Sequence, residues 1–196
     1  VKYNGIPKLE KRVESNYELI EKFINLGVPN NQIFITGHSC GGWVTMMFLA
    51  KYPNKIAGGI STHHGCYGRL SQQYKVKKVG VEEALKKFEK KKPVAGYFRK
   101  TQRESSSKAK NLPVLIFTHP KDPFDGLLSD WVENIPGTDR VVISENFKIN
   151  NKSCKRIGEN SGKRWEEPIE NGHWMAFADC FQQYNSKILK FIESKI

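Results

Sequence analysis

The stretch IFITGHSCGGWVTMMFLAKYP, residues 33–53, constrains the fold more than any other. An apolar run with branched residues meets the small-residue knot Gly37-His38-Ser39-Cys40-Gly41-Gly42, and a second apolar run follows up to Pro53. Residues 32–36 read as a buried strand and 43–52 as an apolar helix. A serine between them sits where strand turns into helix, on a tight turn that projects its hydroxyl above the sheet. The helix just after Ser39 directs its free N–H groups and positive dipole end toward that point. Side chains at 37 and 41 would collide where strand and helix pack closely, so glycine is expected at both. The plain alternative is a glycine-rich turn with an inert serine, and the rest of the chain must decide.

A chain of 196 residues is of one-domain length and can bury a substantial core. No apolar run reaches the roughly 20 residues that span a bilayer, so no transmembrane segment is expected. The formal net charge is +12, which favours acidic partners without specifying a fold. Its densest cluster is KVKKVGVEEALKKFEKKK, residues 75–92. Val81, Leu85 and Phe88 recur there at helical spacing, and Glu82/Lys86 and Glu83/Lys87 form i,i+4 pairs. That is a helix with a buried stripe and a solvated lysine face. No recognised nucleic-acid motif accompanies it, so no nucleic-acid partner is expected.

None of the four cysteines forms a C-x-x-C pair, which leaves a zinc or thioredoxin-like site without support. Cys40 and Cys66 follow apolar strand-like runs and are expected to be free, buried thiols. Cys154 and Cys180 lie in polar surroundings on either side of His173 and are expected to pair, which would favour an exported protein. The compartment is otherwise open.

Helix 7–26 places Leu9, Val13, Tyr17, Ile20, Phe23 and Ile24 on one face, with Pro7 near its start and Gly27 after its end. Residues 55–62 and 112–118 are two further strands, 124–134 a short helix, 140–149 a strand-like run, and 176–194 a terminal amphipathic helix. Segment 67–111 carries the lysine-rich helix and a Ser/Lys-rich loop. Alternating strands and helices predict an α/β fold, a mostly parallel sheet covered on both faces within a single domain over 1–196.

A serine hydroxyl needs a base, and the base needs an orienting acid. VLIFTHPKDPFDG places Asp122 just beyond strand 112–118, and IENGHWMAF places His173 on a loop before the last helix. Ser39, Asp122 and His173, in that order, resemble the triad of the alpha/beta-hydrolase superfamily. The GHSCGGW elbow and HPKDP acid loop are most similar to its dienelactone-hydrolase-like and carboxylesterase-like members, and the similarity runs over 7–196. The resemblance implies the C-terminal portion of that fold and a serine hydrolase of small-molecule carboxylic esters, with no cofactor; the same machinery also serves thioester or peptide hydrolysis, which the triad does not separate. Ser39 would attack, His173 would carry the proton, Asp122 would orient it, and the Cys40 N–H would bind the oxyanion. Asp125 is the fallback acid, and His38 is expected to pack structurally. His63, His64 and His119 follow strands and are expected near the pocket rim, the first two as substrate contacts; no carboxylate spacing supports a metal site. Segment 67–111 is long for a strand connection and is expected to act as a partial lid, with Tyr97 and Phe98 touching substrate.

A full-length relative has several strands before the elbow, one of which leads to a second oxyanion donor. Here strand 32–36 is left as an open apolar edge. N-terminal residues before Val1, or another chain, are expected to cover it. The same departure supports the competing reading, a non-catalytic binding or structural module on a truncated hydrolase scaffold.

Overall fold

The computed structural model describes residues 8–143, 148–149, 152–169 and 171–196. Its first helix, α1 (Lys8–Asn25), buries Leu9, Val13 and Ile20. Phe23, expected on that face, is exposed. Gly27, at φ +92°, adopts the left-handed turn that ends the helix, and its N–H bonds back to the Ile24 carbonyl. Pro7 lies outside the described residues.

The chain then alternates: β1 (Phe34–His38), α2 (Cys40–Lys51), β2 (Gly58–Thr62) and four helices, α3 (Leu70–Gln73), α4 (Val76–Val79), α5 (Val81–Lys91) and α6 (Pro93–Ser107). Next come β3 (Val114–Thr118) and β4 (Thr138–Val142). These four strands form one sheet in the order β1-β2-β3-β4, every pair parallel. The fold is α/β, as expected.

Every residue of β3 is buried. Val114 and Ile116 pack with Val13 and Ile20 of α1 and Trp43 and Phe48 of α2. Leu115 and Phe117 pack on the opposite face with Phe191 of the last helix. A continuous apolar run is what a parallel strand needs when both its faces are covered. By contrast β1 is only partly buried, with Thr36 exposed, and among the described residues it pairs with β2 alone. It is the edge strand that the sequence foretold, though less buried than its Ile33-Phe34-Ile35 run suggested.

Beyond β4 come the short pair β5 (Lys148–Ile149) and β6 (Lys152–Ser153), then the hairpin β7 (Lys155–Asn160) and β8 (Lys163–Pro168). Its two-residue turn has Ser161 and Gly162 both at positive φ, the twist that joins adjacent antiparallel strands. The expected strand over 140–149 ends at Val142, and residues 144–147 lie outside the described residues. The predicted helix at 124–134 is two short 3-10 turns, Gly126–Leu128 and Asp130–Val132. The terminal α-helix, α7 (Asn185–Glu193), starts later than expected, after 3-10 turns at Gly172–Phe177 and Asp179–Tyr184.

In α5 the pairs Glu82–Lys86 and Glu83–Lys87 form as predicted. Its inner face is Ala84 and Phe88, whereas Val81, in the first turn, is exposed. Both expected and unexpected disulfides are present. Cys154 pairs with Cys180, but Cys40 pairs with Cys66, which corrects the expectation of two free thiols. The register explains the correction: β1 and β2 lie side by side, so the residues just past their ends meet.

Candidate active site

Ser39 joins β1 to α2 with φ 56° and ψ −124°, a backbone state that costs a non-glycine residue on the order of 1–3 kcal/mol. The turn is held on both sides. The Ser39 N–H donates to the Thr62 carbonyl at 3.0 Å, and its carbonyl accepts from the Trp43 N–H. A Cβ on Gly37 would come within 2.2 Å of the Gly41 carbonyl carbon, so glycine there is obligatory. Gly41 has open space around its missing side chain, contrary to expectation. The second crowded position is Gly42, whose Cβ would lie 2.7 Å from Ser61 Oγ on β2.

The three expected partners converge. His173 Nε2 lies 3.0 Å from Ser39 Oγ, and its Nδ1 lies 2.9 Å from Asp122 Oδ2. Asp122 leaves the end of β3 in a turn, and its Oδ1 accepts the Phe124 N–H at 2.8 Å. Its carboxylate is buried, and an acceptor beside Nδ1 sets that nitrogen as the donor. Nε2 is then left to accept from the serine hydroxyl. A second acceptor competes for this hydroxyl: the Gly65 carbonyl, also 3.0 Å from Oγ. One proton can serve only one of them at a time.

The histidine loop is equally constrained. Asn171 Oδ1 accepts the His173 N–H at 3.0 Å, and the Gly172 N–H reaches the Lys121 carbonyl. Gly172 lies against the His119 ring, where a Cβ would come within 2.4 Å of Nδ1. The Phe124 ring stacks on His173 with centroids 4.1 Å apart. Asp125, the fallback acid, is engaged elsewhere than at His173. It is buried against Arg99, Oδ1 to Nη2 at 3.2 Å, and burial pushes its carboxyl up while that guanidinium opposes the shift.

All five histidines of the chain gather near this centre. His38 packs its ring against His173, Trp174 and Phe177, and its Nδ1 lies 3.2 Å from Thr62 Oγ1. Burial, with the His173 ring beside it, pushes His38 down to about 4, so it is a neutral packing group, as expected. His63 and His64 were expected as rim residues touching substrate, and both are instead buried, each 1% exposed. They follow β2 inward beneath the acid turn: His63 Nδ1 is 3.7 Å from Asp122 Oδ2, and His64 Nε2 is 4.0 Å from Asp125 Oδ2. Burial pushes His63 well below the ordinary range and His64 down to about 3. His119 is likewise buried, with Nδ1 accepting the Lys121 N–H.

Cys40 is the first residue of α2, so its N–H has no acceptor within the helix and is available to an oxyanion beside Ser39. The Cys40–Cys66 disulfide ties this residue to the segment carrying the Gly65 carbonyl. Tyr97 and Phe98 stand on α6 and pack edge-on against each other, with Tyr97 64% exposed. The buried face of that helix is a different one, Gly96, Arg99, Gln102 and Ser106, with Gln102 bonded to Trp43, Tyr67 and Glu10. Segment 67–111 borders a cleft beside Asp122 through its first residues, Arg69 to Lys77, rather than through Tyr97 and Phe98. Sequence reasoning missed Gly65, Phe124, Trp174 and Phe177. Trp174, next to His173 and 38% exposed, was the one with a usable signal, an aromatic adjoining the proposed base.

The phospholipase/carboxylesterase family model matches residues 5–90. No curated protein matches the sequence. Among solved structures, a protein assigned as a lipase from Acinetobacter baumannii AYE aligns with a TM-score of 0.52 and 14% identity, over 100% of this chain and 72% of its own. E-2-(acetamidomethylene)succinate hydrolase aligns with a TM-score of 0.50 and 11% identity, over 98% of this chain and 76% of its own. At these identities the structural likeness establishes the fold.

Proposed function

We propose that this chain, with its alpha/beta-hydrolase-like fold, is a serine hydrolase of carboxylic esters. The single observation that carries this reading is the continuous relay Ser39 Oγ, His173 Nε2, His173 Nδ1, Asp122 Oδ2 at 3.0 and 2.9 Å. The phospholipase/carboxylesterase match over the elbow supports ester hydrolysis in general. Ser39 attacks the ester carbonyl as His173 takes its proton. The negative oxygen forms beside the Cys40 N–H and the start of α2. His173 then returns the proton to the departing alcohol, leaving an acyl group on Ser39, and a water repeats the sequence to release the acid. Asp122 keeps the ring in the tautomer this requires and stabilises the imidazolium.

The strained φ of Ser39 favours this reading over the scaffold alternative, because an inert turn serine has no reason to hold a state that glycine would adopt freely. Fluorophosphonate labelling and p-nitrophenyl acetate hydrolysis test it together. The wild type should label and turn over. Ser39→Ala and His173→Ala should lose activity by about 10⁴-fold or more, and Asp122→Asn by about 10³ to 10⁴. Unchanged turnover in Ser39→Ala would refute the mechanism and leave the non-catalytic module standing.

A further inference from the structure

Beside the Asp122 turn lies a cleft of about 550 Å³. Arg69, Ser71, Gln72, Lys77, Lys121 and Asn171 bring polar groups to it, over an apolar floor of prolines and Leu127. Asp122 is the only carboxylate among the described lining residues, and its two oxygens are engaged by Phe124 and His173. Neither Arg69 nor Lys77 has a carboxylate partner among the described residues. The walls are fastened together, since the Ser71 and Gln72 N–H groups donate to the Phe124 and Pro123 carbonyls. The cleft is also coupled to the chemistry: the Arg69 guanidinium sits over the Phe124 ring at 5.8 Å, and that ring is the one stacked on His173.

We propose that this cleft is a subsite for an anionic group, carboxylate or phosphate, on the alcohol portion of the substrate. The inference rests on the ester-hydrolase reading for its direction. The alcohol leaves by taking a proton from His173 Nε2, so it lies on the histidine side of Ser39, the side on which Phe124 and Arg69 stand. A fork of guanidinium donors and an ammonium in a fixed concave wall recognise an oxyanion. The cations discriminate by charge, so added salt screens their effect.

Three acetate esters with a common acyl group test this: 4-acetoxybenzoate, 4-acetoxyphenyl phosphate and neutral methyl 4-acetoxybenzoate. The readout is the ratio of kcat/KM for each anionic ester to that for the neutral one. In Arg69→Gln/Lys77→Gln that ratio should fall by about 10-fold from its wild-type value, the yield of two partly exposed charge-assisted contacts. In the wild type it should fall toward the variant's value in 0.5 M salt. The larger drop identifies carboxylate or phosphate as the preferred group. An equal ratio in wild type and variant overturns the proposal, and a merely structural role for Arg69 would give that result by slowing all three esters alike. Lys77→Glu, on an exposed helix position, provides a version that leaves the Phe124 contact untouched and should lower the ratio further. If no ester is turned over by the wild type, the ester-hydrolase reading fails. The subsite is then judged by NMR titration of 4-hydroxybenzoate, whose dissociation constant should still rise about 10-fold in the double variant.

Discussion

Cys40 and Cys66 stand 26 residues apart in the sequence, and so do Cys154 and Cys180. On chain entropy alone the two disulfides should contribute alike. What they enclose differs. The first closes over α2 and β2, elements already fixed by the sheet register and by the buried Trp43, Met46 and Phe48. The second closes over a mostly exposed hairpin and then the His173 loop. That loop meets the hairpin through a few contacts: an Arg156–Ala178 bridge, the Lys155 N–H to Asp179, and Arg156 over Trp174 at 4.7 Å. A cross-link whose two sides are both fixed by packing is redundant for function, whereas the second joins a histidine loop held at its start to an exposed hairpin that packs far less.

The sharpest way to break this contrast is at the glycines of the two regions. Gly37 approaches main chain, which cannot swing aside, so Gly37→Ala should cost more than about 4 kcal/mol or yield no soluble active protein. Gly41→Ala should stay within about 1 kcal/mol of wild type. Gly158, in the hairpin, approaches the Trp165 side chain most closely, and Gly158→Ala should cost about 1–3 kcal/mol as that ring moves. Urea unfolding midpoints for the three variants check this, and a folded, active Gly37→Ala would undo it.

Next in size are the disulfides themselves. Removing either as a Ser/Ser pair should cost about 3–4 kcal/mol by the loop-closure relation. Activity should separate them: Cys154→Ser/Cys180→Ser should lose about 10-fold in kcat/KM as the His173 loop loosens, and Cys40→Ser/Cys66→Ser no more than a few-fold. The reverse order would show that the Gly65 segment, rather than the histidine loop, is the mobile part of the relay.

The smallest expected effect is in acid. His38, His63 and His64 cluster under the first region with their folded pKa values lowered below 6.5. The unfolded chain therefore takes up more protons than the folded one as pH falls below 6.5, and stability is lost on that side, the share of His38 and His64 levelling off near pH 3–4. Asp125, pushed up, acts in the opposite sense. Between pH 7 and 5.5 the fully buried His64 should account for about 1 kcal/mol of the loss. His64→Gln should shrink the pH dependence of the unfolding free energy by that amount. An unaltered slope would mean that His64 titrates normally.

The convergence of Ser39, His173 and Asp122 was legible in the chain because it depends on order and context: a serine between strand and helix, a carboxylate after the next long apolar strand, a histidine before the last helix. The sheet was legible for the same reason, since β3 must be apolar throughout to be covered on both faces. The residues that tune the site were not. Gly65 acts through a carbonyl, which every residue has. His63 and His64 looked like rim residues because position after a strand tells which end of the sheet a residue occupies, but not its depth. The Cys40–Cys66 pairing is a property of register between neighbouring strands, and a sequence does not display register. The β7–β8 hairpin went unassigned because its strands are highly charged and lack an apolar alternation, although Ser161-Gly162 marked its turn.

Among the described residues, Ser39 hangs from the outermost strand of the sheet while Asp122 hangs from an interior one. Strands with one unpaired side exchange their amide hydrogens and part from their neighbours sooner than interior strands do. On heating, Ser39 should therefore drift from His173 and Asp122 while β3 and the core around it remain intact. Catalysis would then have a melting point of its own, lower than that of the molecule, and anything that lay along the free side of β1 would raise the first without moving the second.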